Sequence, residues 1–176
     1  MKERNLLIIG AGVYGAVAKE IAQATGRFDE ISFIDDGAKI AYSGDEVIGT
    51  VEDIESLSCA FANVSVAIGN PAVRLSLIGR IEERTSCKVV SLISPLAYVS
   101  GSAEIGRGSI VEPMAVIHAG CKLGCGCIIS AGAVVNHAST LGHGVHVDCN
   151  ATIAGYADVP DDTKVASGNV FFAKAR

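Results

Sequence analysis

Residues 111–135 read VEPMAVIHAGCKLGCGCIISAGAVV, and a branched aliphatic residue stands there at every sixth position. The same spacing extends without an insertion over twelve consecutive hexapeptides, and Phe171 closes the series. In most hexapeptides a small or short residue follows the aliphatic residue four positions later. The aliphatic positions are Val99, Ile105, Val111, Ile117, Leu123, Ile129, Val135, Leu141, Val147, Ile153, Val159 and Val165.

A period of six residues fits neither an α-helix, which repeats about every 3.6 residues, nor a simple strand, which repeats about every two. It is the period of a parallel β-helix, in which each hexapeptide supplies one short strand and one turn. Three hexapeptides make an 18-residue coil, so the repeat predicts four stacked coils. Neighbouring coils are expected to lie about 4.8 Å apart.

The composition argues against a nucleic-acid or membrane role. The 176 residues include 14 basic and 19 acidic side chains, for a net charge of −5, and no basic run that would bind nucleic acid. No apolar run approaches the roughly 20 residues that span a membrane, and no cleavable apolar segment follows the charged start, so we expect a cytoplasmic protein. The six cysteines are expected to be reduced, and since they lack the paired spacing of a zinc site, no metal is predicted.

The N-terminal stretch follows the strand–turn–helix pattern of nucleotide-binding sheets. An apolar run at 5–9 leads into the glycine loop, residues 10–15, which reads GAGVYG and precedes helical spacing over 16–24. A strand over 31–34 ends in two aspartates, about 20 positions after the last glycine, where an acidic side chain commonly bonds a ribose hydroxyl. The other interpretation is that the glycines only pack a helix on a strand and the aspartates cap a turn. The candidate ligand-binding residues are Gly10, Ala11, Gly12, Tyr14, Gly15, Asp35 and Asp36.

Three more segments complete a small parallel sheet. They are a strand over 63–68, a helix over 72–84 and a strand over 88–93. Ligands of such sheets bind at the carboxyl ends of the strands, where the glycine loop, the aspartates, Gly69 and Asn70 are expected to meet. Arg74, one turn into its helix, is placed either to reach a phosphate there or to be a solvated surface side chain. We therefore expect an α/β Rossmann-like domain over residues 1–94 and an all-β parallel β-helix domain over residues 95–176.

All four histidines lie on the repeats, and two of them stand at related positions in the coil. Gly155 follows His137 by one coil, so its backbone N–H is expected near that imidazole. A histidine beside a free N–H can act as a general base with a donor that polarises a carbonyl. His146 follows His137 by half a coil, so the two rings point to opposite sides of the prism and can share a site only between subunits. His118 and His143 are interpreted as surface or turn residues.

Seven motifs carry a resemblance to a known family. They are LIIGAGVYG at 7–15, FIDD at 33–36, AIGN at 67–70, SP at 94–95 with VS at 99–100, VNHA at 135–138, GVHV at 144–147 and DVPDD at 158–162. Over nearly its whole length the chain resembles the bacterial sugar O-acyltransferases. That family includes sialic acid O-acetyltransferase and the N-acetyltransferases that act on nucleotide-linked 4-amino sugars.

The resemblance implies a left-handed β-helix that assembles as a homotrimer and binds acetyl-CoA between subunits. It implies that the first domain holds a nucleotide-sugar, with UDP as the expected nucleotide. It also implies that His137 is the general base, that His146 contacts acetyl-CoA, and that the Gly155 N–H meets the thioester carbonyl. The expected function is transfer of an acetyl group from acetyl-CoA to an amino or hydroxyl group of a nucleotide-activated sugar in bacterial surface-glycan biosynthesis.

Two features depart from the family pattern. Ala138 stands where the family usually has an acidic residue directly after the base, and fewer hexapeptides than usual follow Gly155. Asn136 or Asp148 could take the part of the missing acid. The departures favour an alternative function, a nucleotide-sugar-binding trimeric scaffold with weak or no acyl transfer. A third interpretation, a nicotinamide-dependent oxidoreductase, uses the same glycines and Asp35 but leaves the repeats without a purpose.

Overall fold

The computed structural model describes residues 2–172, and the chain divides into two compact units, Met1–Leu92 and Ile93–Arg176. The first unit contains, in chain order, β1 (Lys2–Ile9), α1 (Val13–Ala24), β2 (Glu30–Ile34), a 3₁₀ turn (Val51–Asp53), α2 (Ile54–Leu57), β3 (Phe61–Val66), α3 (Pro71–Arg84) and β4 (Lys88–Val89). Its strands form one parallel sheet in the order β2-β1-β3-β4. The predicted Rossmann-like sheet is confirmed.

The apolar run of β1 places this strand inside the sheet, because its side chains are buried on both faces. α1 packs through small residues on one helical face, and α3 packs through residues one turn apart. The fully buried residues of β1 are Leu6, Leu7, Ile8 and Ile9. The buried residues are Gly15, Ala18, Ile21 and Ala22 in α1 and Arg74, Ile78 and Ile81 in α3. α3 begins where the Asn70 side chain accepts a hydrogen bond from Val73 N and Pro71 occupies the first turn.

The prediction of one last strand over 88–93 is wrong, because the structure has two short strands there. Val90 N still donates to Val64 O at 2.9 Å, which ends the pairing of β4 with β3. β5 (Leu92–Ile93) then belongs to a sheet of the repeats. The apolar run continues through both strands, and hydrophobicity alone does not tell which sheet each residue joins.

The repeats form a parallel β-helix, as the period of six predicts. Its two-residue strands are β6 (Tyr98–Val99), β7 (Glu104–Ile105), β8 (Ile110–Val111), β9 (Val116–Ile117), β10 (Lys122–Leu123), β11 (Ile128–Ile129), β12 (Val134–Val135), β13 (Thr140–Leu141), β14 (His146–Val147), β15 (Thr152–Ile153), β16 (Asp158–Val159), β17 (Lys164–Val165) and β18 (Val170–Phe171). They make three sheets, ordered β16-β13-β10-β7, β17-β14-β11-β8-β5 and β18-β15-β12-β9-β6. Strands 18 residues apart pair in parallel, as Ile128 pairs with His146 and His146 with Lys164.

The core of the coils consists of the aliphatic positions and the small residues between them. Cys121 and Cys127 are completely buried in this core, which confirms that they fill space. The turns also repeat every six residues, because each coil turn from 108 to 168 has one residue with positive φ. These residues are Gly108, Met114, Gly120, Gly126, Gly132, Ala138, Gly144, Asn150, Tyr156, Asp162 and Gly168. Glycine tolerates this backbone conformation, whereas alanine or methionine is strained in it.

Candidate active site

The glycine loop connects β1 to α1, and close contacts require two of its glycines. Gly10 has a φ of +104°, and a Cβ atom there would lie 2.8 Å from the carbonyl oxygen of Ala67. A Cβ atom on Gly15 would overlap the carbonyl oxygen of Gly10. Packing therefore accounts for these two glycines, while the space beside Gly12, the N-cap of α1, is open.

The carboxylate of Asp35 ties the glycine loop to the end of β2. Its Oδ2 accepts a hydrogen bond from Ala11 N at 2.9 Å, and its Oδ1 accepts from Gly37 N and Ala38 N, both at 2.9 Å. Partial burial acts to raise the pKa of Asp35, yet the three N–H donors together hold it below its ordinary value. Asp36 bonds to Val51 N at 2.9 Å. Both aspartates thus hold the loops in place, and contact with a ribose stays a prediction.

The carboxyl end of β3 is held by Arg74, and the structure contradicts a solvated position for this side chain. Arg74 is completely buried, and its guanidinium donates to the carbonyl oxygens of Ile68 at 2.6 Å and Gly69 at 2.9 Å. Its sequence signal is that of any helical arginine, so only the packing distinguishes the two positions. Direct contact with a phosphate stays a prediction.

The sequence segments that were predicted to converge lie together in the structure. Their role in binding a ligand stays a prediction. Gly10 N donates to the carbonyl oxygen of Ile34 at 3.0 Å, and Ala67 lies against Gly10 on the other side. Ala11 is buried, and its carbonyl oxygen accepts from Tyr42 N at 2.8 Å. Tyr14 is half-buried in the first turn of α1. The loop after β1 is therefore flanked by the ends of β2 and β3.

The exposed ring of His137, which follows β12, lies against Gly155 on the next coil. A Cβ atom on Gly155 would be 3.0 Å from His137 Cε1 and 3.1 Å from Nε2, so a larger residue would push the ring away. The opposite nitrogen, Nδ1, lies 2.8 Å from the side-chain oxygen Oδ1 of Asn136. The structure thus brings His137 and Gly155 together as the 18-residue coil predicts, and it adds Asn136 to them.

Tyr156 also borders His137, and the sequence analysis missed it. Tyr156 N donates to the carbonyl oxygen of His137 at 3.0 Å, and the two rings meet edge-on with their centroids 5.1 Å apart. The phenol side chain is 58% exposed and therefore forms an open wall of the site. Its signal in the sequence was its position directly after Gly155, one coil beyond Ala138.

His146 lies on β14, half a coil beyond the turn that holds His137, in a small polar cluster. Its Nε2 is 3.1 Å from Ser130 Oγ and 4.0 Å from Asp148 Oδ1. Asp148 also pairs with Lys164, with 3.1 Å between Oδ2 and Nζ. The N–H of Cys149 lowers the pKa of Asp148 below its ordinary value, and Lys164 and His146 lower it further against the effect of partial burial. Asp148 therefore faces His146, whereas the ring of His137 is bonded by Asn136.

The other two histidines are exposed, and His143 has a structural task that the sequence analysis did not assign. Its Nδ1 accepts a hydrogen bond from Cys125 N at 2.9 Å, and its own N–H donates to Asp161 Oδ1 at 2.7 Å. These bonds link three successive coils at one corner. The ring of His118 lies edge-on to that of Tyr98, with centroids 6.4 Å apart.

The described part of the chain offers neither a cluster of metal ligands nor a membrane-spanning helix. Over residues 2–172, no three His, Cys, Asp or Glu side chains are grouped so that they could hold a metal ion. None of the helices in this range combines the length and apolar character that crossing a bilayer requires. The six cysteines are free thiols, and burial raises the pKa of Cys87.

Comparisons with known proteins agree on one group. The family model of the PglD N-terminal domain matches residues 5–81. The acetyltransferase domain of PglB from Neisseria gonorrhoeae, in complex with acetyl coenzyme A, is 36% identical with a TM-score of 0.91, over 96% of this chain and 82% of that one. A mutant of perosamine N-acetyltransferase from Caulobacter crescentus, in complex with CoA and GDP-perosamine, is 27% identical with a TM-score of 0.78, over 95% of this chain and 88% of that one. A search of curated proteins returned no significant match.

A Rossmann-like domain followed by a left-handed β-helix defines the class as a two-domain hexapeptide-repeat acyltransferase. A second structure of the PglB acetyltransferase domain is 31% identical, and the match covers 99% of this chain and 94% of that domain. The chain belongs to the family of bacterial sugar acetyltransferases that includes the PglB domain.

Proposed function

We propose that the protein transfers the acetyl group of acetyl-CoA to an amino or hydroxyl group of a nucleotide-activated sugar. Two family members support the ligands, since the PglB domain is described with acetyl coenzyme A and the Caulobacter enzyme with CoA and GDP-perosamine. The observation in this chain that carries the proposal is the His137 imidazole, exposed and set against the backbone of Gly155.

In the proposed reaction the sugar nitrogen or oxygen attacks the thioester carbonyl carbon of acetyl-CoA. His137 Nε2 takes the proton that this nucleophile loses, and the carbonyl oxygen becomes an oxyanion. The Gly155 N–H stabilises the oxyanion, which is the group where charge develops. When the carbon–sulfur bond breaks, the new amide or ester leaves and the imidazolium returns the proton to the CoA sulfur. Atoms and charge balance without a metal.

The two domains divide the binding of the substrates. Residues 1–94 hold the nucleotide-sugar around the glycine loop, where the open space beside Gly12 lets a phosphate approach the N-terminus of α1. Residues 95–176 hold acetyl-CoA, with His146 as a contact. UDP is our expected nucleotide, whereas the Caulobacter relative is described with a GDP-sugar. Titration calorimetry with UDP and GDP, each as the free nucleotide, measures this preference directly.

We further propose that the protein is a homotrimer with its active sites between subunits. His137 lies in the turn after β12 and His146 lies on β14, half a coil further on, so a site that contains both draws them from two chains. The sheet that contains β6 and β18 presents apolar side chains outward, with Tyr98 61% and Val170 45% exposed. Such a face is suited to packing against a second copy.

Mixed oligomers test the interface directly. The variants His137→Ala and His146→Ala are each expected to be inactive, and unfolding and refolding them together should restore about a quarter of the wild-type rate, because random assembly pairs the intact histidines in that fraction of sites. Recovery of no activity would place both histidines of a site in one chain.

Direct assays test the reaction. His137→Ala is expected to abolish release of free CoA thiol in the presence of acetyl-CoA and a nucleotide-linked amino sugar, while calorimetry still detects nucleotide binding. His143→Ala, a change at an exposed histidine on another corner, is the matched control and should keep near wild-type turnover. Unchanged turnover of His137→Ala contradicts the assignment.

The alternative function, a nucleotide-sugar-binding scaffold, differs from the proposed enzyme in what it predicts for acetyl-CoA binding. Calorimetry of the wild-type protein with acetyl-CoA is expected to show binding. If nucleotide binds but acetyl-CoA does not bind at millimolar concentrations, the scaffold explains the protein better than the enzyme does.

A further inference from the structure

We infer that Asn136 is the positioning residue of the active site: its side-chain oxygen fixes the His137 ring so that Nδ1 carries the proton and Nε2 is the free base. The inference deepens the proposed acetyl transfer and rests on it. It concerns the position that an acidic residue after the base would otherwise serve, which in this chain is Ala138.

The identity of the Asn136 atom follows from the backbone. The same atom, Oδ1, receives two contacts: one from the backbone N of His137 at 2.9 Å and one from the ring nitrogen Nδ1 at 2.8 Å. A backbone N–H can only donate, so its partner must be an oxygen and not the amide nitrogen. An amide oxygen can only accept, so the ring nitrogen that faces it must carry the proton.

The free nitrogen then lies on the other side of the ring. A neutral imidazole has one protonated nitrogen, so Nε2 keeps its lone pair. Nε2 is also the atom beside Gly155, 3.1 Å from the point where a Cβ atom would stand. The base therefore faces the backbone where the proposed thioester carbonyl binds. Asn136 is placed to hold the ring in this orientation through both bonds to one oxygen.

Ala138, the residue directly after the base, has no carboxylate that could orient the His137 ring. Its backbone adopts φ of +55°, and its N–H donates to the carbonyl oxygen of Ala119 at 2.9 Å. The methyl side chain offers no hydrogen-bond acceptor. The phenol of Tyr156 lies against the His137 ring, and His118 precedes Asn136 by one coil. The nearest acid of the neighbouring cluster, Asp148, is engaged with Lys164 and Cys149.

A neutral acceptor has a different effect from a carboxylate. Both orient the ring, but only a carboxylate stabilises the positive charge that the imidazolium acquires during proton transfer. The change Asn136→Asp keeps the acceptor and adds the charge. It is therefore expected to move the acidic limb of the kcat/KM–pH profile upward by about one pH unit. Asn136→Ala removes the acceptor and is expected to lower kcat by about tenfold or more, with the KM for acetyl-CoA nearly unchanged.

The tautomer can be read without any activity. Nitrogen-15 NMR of histidine-labelled protein at pH 8, with the His137 signals assigned from His137→Gln, is expected to show a protonated Nδ1 and an unprotonated Nε2. In Asn136→Ala the same signals should shift toward a mixture of the two tautomers. Gln23→Glu, a charge added at an exposed position of α1, is the control and should change neither the tautomer nor the pH profile.

The outcomes separate the two proposals. A wild-type ring with the proton on Nε2, or an Asn136→Ala variant that keeps both the tautomer and kcat, overturns the role of Asn136. Full activity of His137→Ala overturns the proposed reaction instead, and it leaves the NMR result to decide the tautomer on its own. We expect the acidic limb of the kcat/KM–pH profile to move upward in Asn136→Asp. We also expect the His137 ring of Asn136→Ala to be a mixture of the two tautomers.

Discussion

The change Gly155→Ala is expected to separate catalysis from stability, because it acts on one exposed ring. The added Cβ atom would stand 3.0 Å from His137 Cε1 and 3.1 Å from Nε2. Ordinary contacts between carbon atoms are about 3.5–4.0 Å, so the ring must retreat by about half an ångström. A misplacement of about 1 Å in an active site costs about a hundredfold in rate, so about tenfold is expected for half that distance. The retreat would also stretch the 2.8 Å contact to Asn136.

The stability of the same variant is expected to change little. Gly155 is outside the left-handed backbone region, and the ring it would displace is exposed, so its displacement does not disturb the core. Replacing glycine by alanine at a compatible backbone position stabilises a protein by about 0.4–1 kcal/mol through the unfolded chain, which offsets the mild crowding. The free energy of unfolding should therefore stay within about 1 kcal/mol of the wild type.

The assay compares two variants with the wild type. Initial rates of CoA release give kcat for Gly155→Ala, and urea titration gives its free energy of unfolding. Gly101→Ala is the matched control, since a Cβ atom there meets nothing within 4 Å. It should leave kcat unchanged and raise the free energy of unfolding by about 0.4–1 kcal/mol. If Gly155→Ala keeps the wild-type kcat, the ring does not need its observed position and the argument from the coil register fails.

Three further changes test the loops and turns. Asp35→Ala removes the acceptor of three N–H groups and is expected to lower the free energy of unfolding by about 1–3 kcal/mol in urea at pH 7. Folding lowers the pKa of Asp35, so its contribution to the free energy of unfolding is fully present above the unfolded pKa of about 3.9 and is lost as the pH falls through the folded pKa. The difference in free energy of unfolding between wild type and variant should therefore shrink below about pH 4. Ala138→Gly relieves a left-handed backbone and should raise the thermal midpoint, with a gain of about 0.5–1 kcal/mol; a lower midpoint would contradict the strain. Arg74→Met leaves the carbonyl oxygens of Ile68 and Gly69 without this donor and should cost about 2–4 kcal/mol by urea titration, whereas an unchanged midpoint would show that water replaces it.

The period of six predicted most of the repeat region, because the coil leaves little freedom. Each hexapeptide points its aliphatic side chain into the core at the same position, so the buried positions follow from the sequence count alone. The vertical pairing of His137 with Gly155 follows from the same count. The strand–helix pattern of the first unit was also readable, since buried parallel strands are continuous apolar runs. Only the break between β4 and β5 was lost inside such a run.

The side-chain partners could not be predicted in the same way. The sequence left Asn136 and Asp148 as equal candidates to support the base. Which of them reaches the His137 ring depends on side-chain rotamers and on the corner of the coil where each residue lies, and residue spacing does not encode either. Asn136 bonds the ring of His137, whereas Asp148 faces His146 at 4.0 Å. Arg74 shows the same limit, because a helical arginine near a strand end has one sequence pattern whether it is buried or solvated.

The columns of the coil nevertheless distinguish a working histidine from a structural one. His143 stands between Cys125 and Asp161, and the residues below and above it both form hydrogen bonds with it. His137 stands between Ala119 and Gly155, which are too small to cover its ring or to bond it through a side chain. A large polar residue flanked in its column by small residues keeps one edge open to a ligand. In a β-helix the residue 18 positions after each histidine, Gly155 or Asp161, is read from the sequence alone. The bond from Cys125 to the His143 ring comes from the backbone N–H and is known only from the structure.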